Sequence, residues 1–451
     1  MAIVSSSFDR IKQELERYLP ASYIESASRD AGHRWRERQL GPVLTVQLFV
    51  LQILNCNTAI RHLHHLSKLP VKAAAYCKAR MRLPLAAVQQ LLRHSSEVMR
   101  QSLTKEAEAG SQWHGHRTLL VDGSSTIVPD TPQLQKVFKQ PKGQKKGCGL
   151  PVPKVLGLFD ACSGLIVEVM AFCLFVHEQS RVALLHPLLK AKDLLIGDRG
   201  FCSYVHVALL SAGQVFCVFR MHQGQIVNFR RHRKSQRQCG KNDRKGRPTS
   251  IWVKRLGKHD QLVKWQKPKT KPKWMDGRQF DELPDELTVR ELRYTVTVKG
   301  WRSRVVTIAT TLLDPTTYTR QDVAELYGMR WRIETHWNEL KTTLGMRRIK
   351  CKTEAGVRKE LAVYALVFNL VHVTMMRAAL QQEVEVERIS FIDTLRWICS
   401  ATLCEEIPEL VVNPIRPGRF DPRVIKNRES PYTKMTKPRK MLRRNLEMGR
   451  S

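Results

Sequence analysis

The chain has 451 residues, with 76 Lys and Arg against 41 Asp and Glu, a formal net charge of +35 and 42% hydrophobic residues. That hydrophobic share at this length excludes a disordered basic chain and predicts at least two packed domains. The basic excess calls for a polyanionic partner, nucleic acid ahead of a membrane surface: the longest apolar stretches, 361–376 and 43–54, are broken by Asn369, His372, Gln47 and Gln52, and fall short of the roughly 18–20 residues a span requires.

The first residues, MAIVSSSFDRIKQELERYL, show no basic region followed by an apolar one, so no secretory signal is expected and the protein is placed in the cytoplasm. Eleven cysteines without a CxxC pair suggest buried thiols, not a disulfide framework or zinc knuckle. The cluster His62, His64, His65 has no Cys or carboxylate at ligand spacing, so no metal is assigned to it.

Residues 1–110 read as a small all-helical domain. In 8–18 the positions Ile11, Leu15 and Tyr18 form one apolar stripe, and further helical patterns run over 43–54, 58–66 and 85–98, punctuated by Pro70 and Pro84. This stretch carries 16 Lys or Arg and 9 acids, enough positive charge to touch DNA. From Thr118 the period changes. TLLVDGSSTIV, PKVLGLFDACSGLIVEVMAF, DLLIGDRGF and QVFCVFRM are short apolar runs bounded by Gly, Asp or Ser and read as strands, the second as a hairpin turning at Asp160–Gly164. With a helical segment over 178–191, this is an α/β pattern with a mixed sheet.

Residues 220–273 hold 18 Lys or Arg and only two acids, Asp243 and Asp260, interleaved with Phe229, Trp252 and Trp265. A solvated loop would explain such a run, but charge of nearly one sign with strand-like alternation in IWVKRLG favours an inserted β-rich subdomain that tracks a phosphate backbone. Strand runs return in LRYTVTV and RVVTIATTLL, followed by a helical stretch from about Arg320. The last segment, 416–451, has 12 bases, 3 acids and four prolines and reads as a basic extended tail.

On an ideal helix starting at Tyr327, the side chains of Arg330, Glu334, Asn338 and Lys341 share an arc of about 80° with Tyr327, opposite Met329, Ile333, Leu340 and Leu344, and Glu339 falls outside it. A carboxylate among Arg, Lys and Tyr suits a metal and phosphate site; an ordinary i,i+4 ion pair between Arg330 and Glu334 explains the spacing equally well. Asp122 and Asp198 each end an apolar strand run beside a turn, where a rigid ligand belongs, although a turn-forming Asp beside Gly is as good an account of either alone. Of their competitors, Asp130 lies among prolines, Asp160 occupies the hairpin turn, and Asp193 precedes its strand.

The set Tyr327, Arg330, Glu334, Lys341, spaced YxxRxxxExxxxxxK, resembles the YREK signature of the DDE transposases of the insertion sequence four family. ARMRLP at 79–84, VDGSS at 121–125, GDRGF at 197–201, TTLLDP at 310–315, RWRIETHWNELKTTLG at 330–345 and TKPR at 436–439 are similar to family sequence in matching order over most of the chain. The resemblance implies an α/β, ribonuclease H-like core of the retroviral-integrase superfamily with a β-rich insertion, a helical N-terminal domain and a basic C-terminal tail. On that basis 1–110 is the N-terminal DNA-binding domain, 111–220 the first part of the core, 221–291 the insertion, 292–381 the second part with the YREK helix, and 382–451 a helical segment and the tail. Asp122, Asp198 and Glu334 would be catalytic and bind two Mg²⁺ ions, with Mn²⁺ as a substitute, while Tyr327, Arg330 and Lys341 would hold DNA phosphates. The implied function is Mg-dependent cut-and-paste transposition of an insertion sequence, by phosphodiester hydrolysis and strand transfer at terminal inverted repeats. Its partners would be double-stranded DNA, both inverted repeats and target, and a second copy of the chain in a synaptic homodimer, in a bacterial cytoplasm at the nucleoid, with no membrane partner. The alternative is a catalytically inactive DNA-binding remnant or repressor copy. A tryptophan that holds a flipped base is a further family trait; Trp252 and Trp301 are the candidates, neither inside a matching motif.

Overall fold

A computed structural model describes residues 7–36, 39–106, 112–240, 243–296, 305–403, 405–414 and 437–448, with the side chains of 103–106 left aside. Trp301 lies outside these residues, as does the tail from 415 to 436. The strands are β1 (Thr118–Ser125), β2 (Lys154–Asp160), β3 (Ile166–Phe172), β4 (Leu194–Gly197), β5 (Phe216–Arg220), β6 (Ile251–Gly257), β7 (Asp260–Gln266), β8 (Glu286–Thr295) and β9 (Val305–Thr310). The helices are α1 (Ser7–Tyr18), α2 (Ala21–Asp30), α3 (Pro42–Leu54), α4 (Leu63–Ser67), α5 (Ala73–Arg82), α6 (Leu85–Glu106), α7 (Pro132–Phe138), α8 (Gln179–Val182), α9 (Tyr204–Ala212), α10 (Gly277–Asp281), α11 (Arg320–Gly328), α12 (Arg332–Asn338), α13 (Glu354–Gln381), α14 (Phe391–Ser400) and α15 (Arg439–Glu447).

All nine strands form one mixed sheet in the order β3-β2-β1-β4-β5-β9-β8-β7-β6. β1 runs antiparallel to β2 and parallel to β4, which is parallel to β5. The strands of the basic segment therefore extend this sheet, joined through β9, which pairs with both β5 and β8. Strand alternation sorts the core into two layers. Leu119, Val121, Leu195 and Cys217 face α9 and α10; Leu120, Ile196 and Val218 face the layer that contains α13.

That second layer is one continuous apolar core shared by α1, α3, α6, α13 and α14, so the N-terminal helices fold onto the helix that follows the YREK signature. α13 is longer than its apolar run suggests. By length and composition it could cross a bilayer, but 89% of that apolar window is buried inside the protein, as a helix apolar all round must be. Near the other end of the chain, where an extended tail was expected, Arg439–Glu447 is helical; consecutive good helix formers after Pro438 outweigh the local charge. All ten described cysteines are free, and only Cys56 is exposed.

Candidate active site

Asp122 and Asp198 come together because β1 and β4 are parallel neighbours in register, Val121 opposite Gly197. Each acid is the next residue. By alternation both lie on the face of Leu120 and Ile196, the face covered by the YREK segment. Gly157 on β2 stands opposite Asp122 and admits α12: a Cβ there would sit 2.6 Å from the Phe159 ring and 3.0 Å from the Trp337 ring. A bare backbone at this position lets Trp337 press onto the sheet and carries Glu334 towards β1.

The YREK segment is not the uniform helix of the sequence reading. α11 gives way to a 3₁₀ turn at Met329–Trp331, α12 follows, and Glu339–Thr343 forms a π-helical turn. Tightening and then loosening the helix keeps Ile333, Leu340 and Leu344 buried while re-aiming the polar side chains, a device common at functional sites. The consequence departs from a single exposed polar face. Tyr327 is 1% exposed and Arg330 7%, whereas the Glu334 side chain is 58% exposed.

Arg330 is the hub. Its Nη1 lies 3.9 Å from Asp122 Oδ1 and its Nη2 3.7 Å from Glu334 Oε1, with the guanidinium over the Trp331 ring at 4.5 Å. These are loose ion pairs, longer than charge-assisted hydrogen bonds, and Arg330 Nε and the Tyr327 hydroxyl are buried without partners. Burial pushes Asp122 up to about 6, Arg330 opposes, and Asp198 and Glu334 add to the rise. Burial likewise raises Tyr327 to about 12. Lys341 is lowered by burial and by Arg347, and Asp122 pulls it back. All six residues singled out in the sequence thus share one neighbourhood beside β1 and the end of β4; Asp122 does not end its strand as expected, because β1 runs on through Gly123 to Ser125 in its pairing with β2.

Their rivals have structural duties. Asp160 Oδ1 caps the β2–β3 turn by accepting from Ser163 N and Oγ, both at 2.8 Å, Asp193 accepts from Lys190 N, and Asp130 pairs with Arg439. Trp252 lies on β6, five strands from β4, roughly 24 Å away at sheet spacing. Sequence reading missed Arg347, which with Ser125, Asn338, Lys341 and Thr342 lines a cavity of about 350 Å³ beside the end of β1; the only signal was a pair of arginines just after the signature. It also passed over Glu339, whose buried Oε2 has no partner and which burial raises to about 7.

Three carboxylates offer hard oxygen donors suited to a divalent cation. Asp122, pushed up by burial and by its acidic neighbours, has the electrostatic need that a cation would answer. Among the described residues no three His, Cys, Asp or Glu side chains are drawn together as a closed ion site; Arg330 stands between two of the acids.

Residues 113–370 match the family described as Transposase DDE domain. The chain is 25% identical over 386 residues to the transposase InsG for insertion sequence element IS4 of Escherichia coli (strain K12), covering 79% of each. Among solved structures it is similar to a cryo-EM structure of a piggyBac transposase synaptic complex with hairpin DNA, at a TM-score of 0.42 and 10% identity, covering 88% of this chain and 80% of that one.

Proposed function

Since the chain belongs to the Transposase DDE domain family and is a DNA transposase, we propose that it carries out metal-dependent cut-and-paste transposition at the terminal inverted repeats of its own insertion sequence. The observation that carries this reading is the pair of carboxylates, Asp122 and Asp198, each one residue beyond the paired stretch of two adjacent parallel strands, with Arg330 between Asp122 and Glu334. The strand order β3-β2-β1-β4-β5, with β1 antiparallel to β2 and parallel to β4, supports assigning the core to the ribonuclease H-like class, with 1–110, 221–291 and 382–451 as its flanking and inserted parts.

Asp122, Asp198 and Glu334 are the proposed ligands of two Mg²⁺ ions, for which Mn²⁺ would substitute. When bound, such ions supply an activated attacking oxygen and charge stabilisation for the leaving one. The chain's own residues do the positioning. β1 and the end of β4 fix Asp122 and Asp198 on one face; Glu334, on a mostly exposed side chain, closes from the helix. Arg330 and Lys341 offer cationic donors to nonbridging phosphate oxygens, and Tyr327, packed beneath Arg330, braces it. Hydrolysis of a phosphodiester frees a 3′-OH, which attacks a second phosphodiester in strand transfer; both are in-line displacements, and the chain has no Gly-x-x-x-x-Gly-Lys loop for a nucleotide. We further propose that it works as a homodimer on paired ends, in the bacterial cytoplasm at the nucleoid.

The test is cleavage of a duplex carrying the gene's own flanking DNA, with Mg²⁺ or EDTA, by wild type and Glu334→Gln. Mg²⁺-dependent breaks at a fixed place in an inverted repeat, absent in the variant, are expected. Equal binding of the ends with no cutting by either protein would instead identify a DNA-binding remnant.

A further inference from the structure

The loop after β1 and the helix near the far end of the chain enclose a cavity of about 820 Å³. Lys136, Lys139, Lys142 and Lys146 line one wall; Lys440 and Arg443 of α15 line the other. The one acid in the lining, Asp130, is already engaged: Arg439 Nη1 lies 3.2 Å from its Oδ2 and Gln135 donates to its Oδ1 at 2.8 Å. Six like charges therefore face a common space with no further acid among the described lining residues, an arrangement that repels itself and is relieved by a polyanion. Phe175, 49% exposed, braces Lys142 at the mouth, the ammonium 5.1 Å from its ring centre.

The helix is held there by Pro438 and Arg439. Arg439 donates from Nη1 to the Gly149 carbonyl at 3.0 Å and from its backbone N–H to the Gly147 carbonyl at 3.2 Å. Pro438 packs on Gly147, whose φ is +81° and where a Cβ would meet the Pro438 Cβ at 3.2 Å. Glycine alone meets both demands without strain. The cavity is thus a built feature that joins two segments about 300 positions apart in sequence.

Its place in the fold matters most. Ser125 pairs with Lys154 and Lys154 with Phe172, so the segments 130–147 and 173–176 emerge at the end of the sheet where Asp122 and Asp198 lie. The cavity sits on the β3 side of that end, opposite the edge that carries the basic strands β6 to β8. We propose that this cavity grips the backbone phosphates of duplex DNA running from the proposed catalytic acids across the β3 edge, Pro438 and Arg439 serving to pin α15 as its second wall. This rests on the reading that the chain acts on DNA.

Phosphate contacts are independent of sequence and each contributes about one unit to the salt dependence of binding. The full-length protein is titrated with a duplex of arbitrary sequence across a salt series. Lys440→Gln/Arg443→Gln and Lys142→Gln/Lys146→Gln should each lower the slope of log K against log salt by about 2 and weaken binding about tenfold at moderate salt. The charge-keeping pair Lys440→Arg/Arg443→Lys should keep the wild-type slope, which a merely structural role for these exposed side chains would not require. Unchanged slopes in both neutral pairs, with wild-type thermal unfolding, overturn the proposal; so does a fall seen for a single strand and not for the duplex. A wild type that binds duplex with the expected slopes yet never cuts leaves this site standing while the catalytic reading fails, and one that binds no duplex removes both.

Discussion

Two buried arginines, Arg290 in the sheet and Arg330 in the helical segment that covers it, behave in opposite ways. Arg290 on β8 is fully buried and saturated: Nε and Nη2 meet Asp260 at 2.9 and 2.6 Å, and Nη1 donates to the Tyr318 carbonyl at 2.6 Å. Among the described residues Arg330, nearly as buried, has no carboxylate closer than 3.7 Å and an Nε with no partner. The first has its donors consumed in folding; the second has donors that folding leaves unmet. The two arginines should differ most in what they contribute to stability. Arg290→Met, by stranding Asp260, should cost about 3–5 kcal/mol in denaturant unfolding, whereas Arg330→Met should cost about 1 kcal/mol yet lower duplex cleavage by about 100-fold or more. Equal losses of stability would make Arg330 another structural charge.

Glu339 sharpens the contrast within the YREK segment, since it is the acid there with a buried oxygen and no partner. Burial lifts it from an ordinary 4.5 to about 7, so folding favours its protonated form. Its contribution is fully present below about 4.5 and is lost as pH rises through about 7. Glu339→Gln, which imitates the neutral acid, should therefore match wild type at pH 4 and exceed it by roughly 3 kcal/mol above pH 7. Thermal unfolding across pH checks this, and a constant difference would place the carboxylate in water. Next in size, Gly157→Ala should cost about 1–3 kcal/mol by overpacking Phe159 and Trp337, with a further loss of cleavage because α12 is pushed off β1.

The half of the sheet that carries Asp122 and Asp198 was legible because 118–121 of β1 and all of β4 are buried: their apolar runs are continuous, and an acid directly after each stands out. The YREK residues were legible by spacing. Their exposure was not, because the 3₁₀ and π turns around α12 break the uniform period on which the reading relied. α2 and α5 went unread; α5 buries only Tyr76 and shows little periodicity. That the basic strands extend the main sheet depends on β9, which follows the insertion in sequence but lies between β5 and β8, a non-local pairing no local pattern records. The tail helix was hidden by proline and charge, and the partner that holds it, Gly147, is in another part of the chain.

The smallest expected effect guards the comparison against a simpler rule, that short ion pairs are structural and long ones functional. Arg332, two residues from Arg330, meets Glu387 at 2.8 Å, shorter than either contact of Arg330, but both side chains are exposed, 47% and 40%. Water already serves such charges, so the pair gains little from meeting. Arg332→Gln should change unfolding stability by no more than about 0.5 kcal/mol, with any residue of that effect screened away at high salt. A loss as large as that of Arg290→Met would mean that distance alone orders these arginines; a negligible one leaves burial together with unmet donors as the property that sets Arg330 apart.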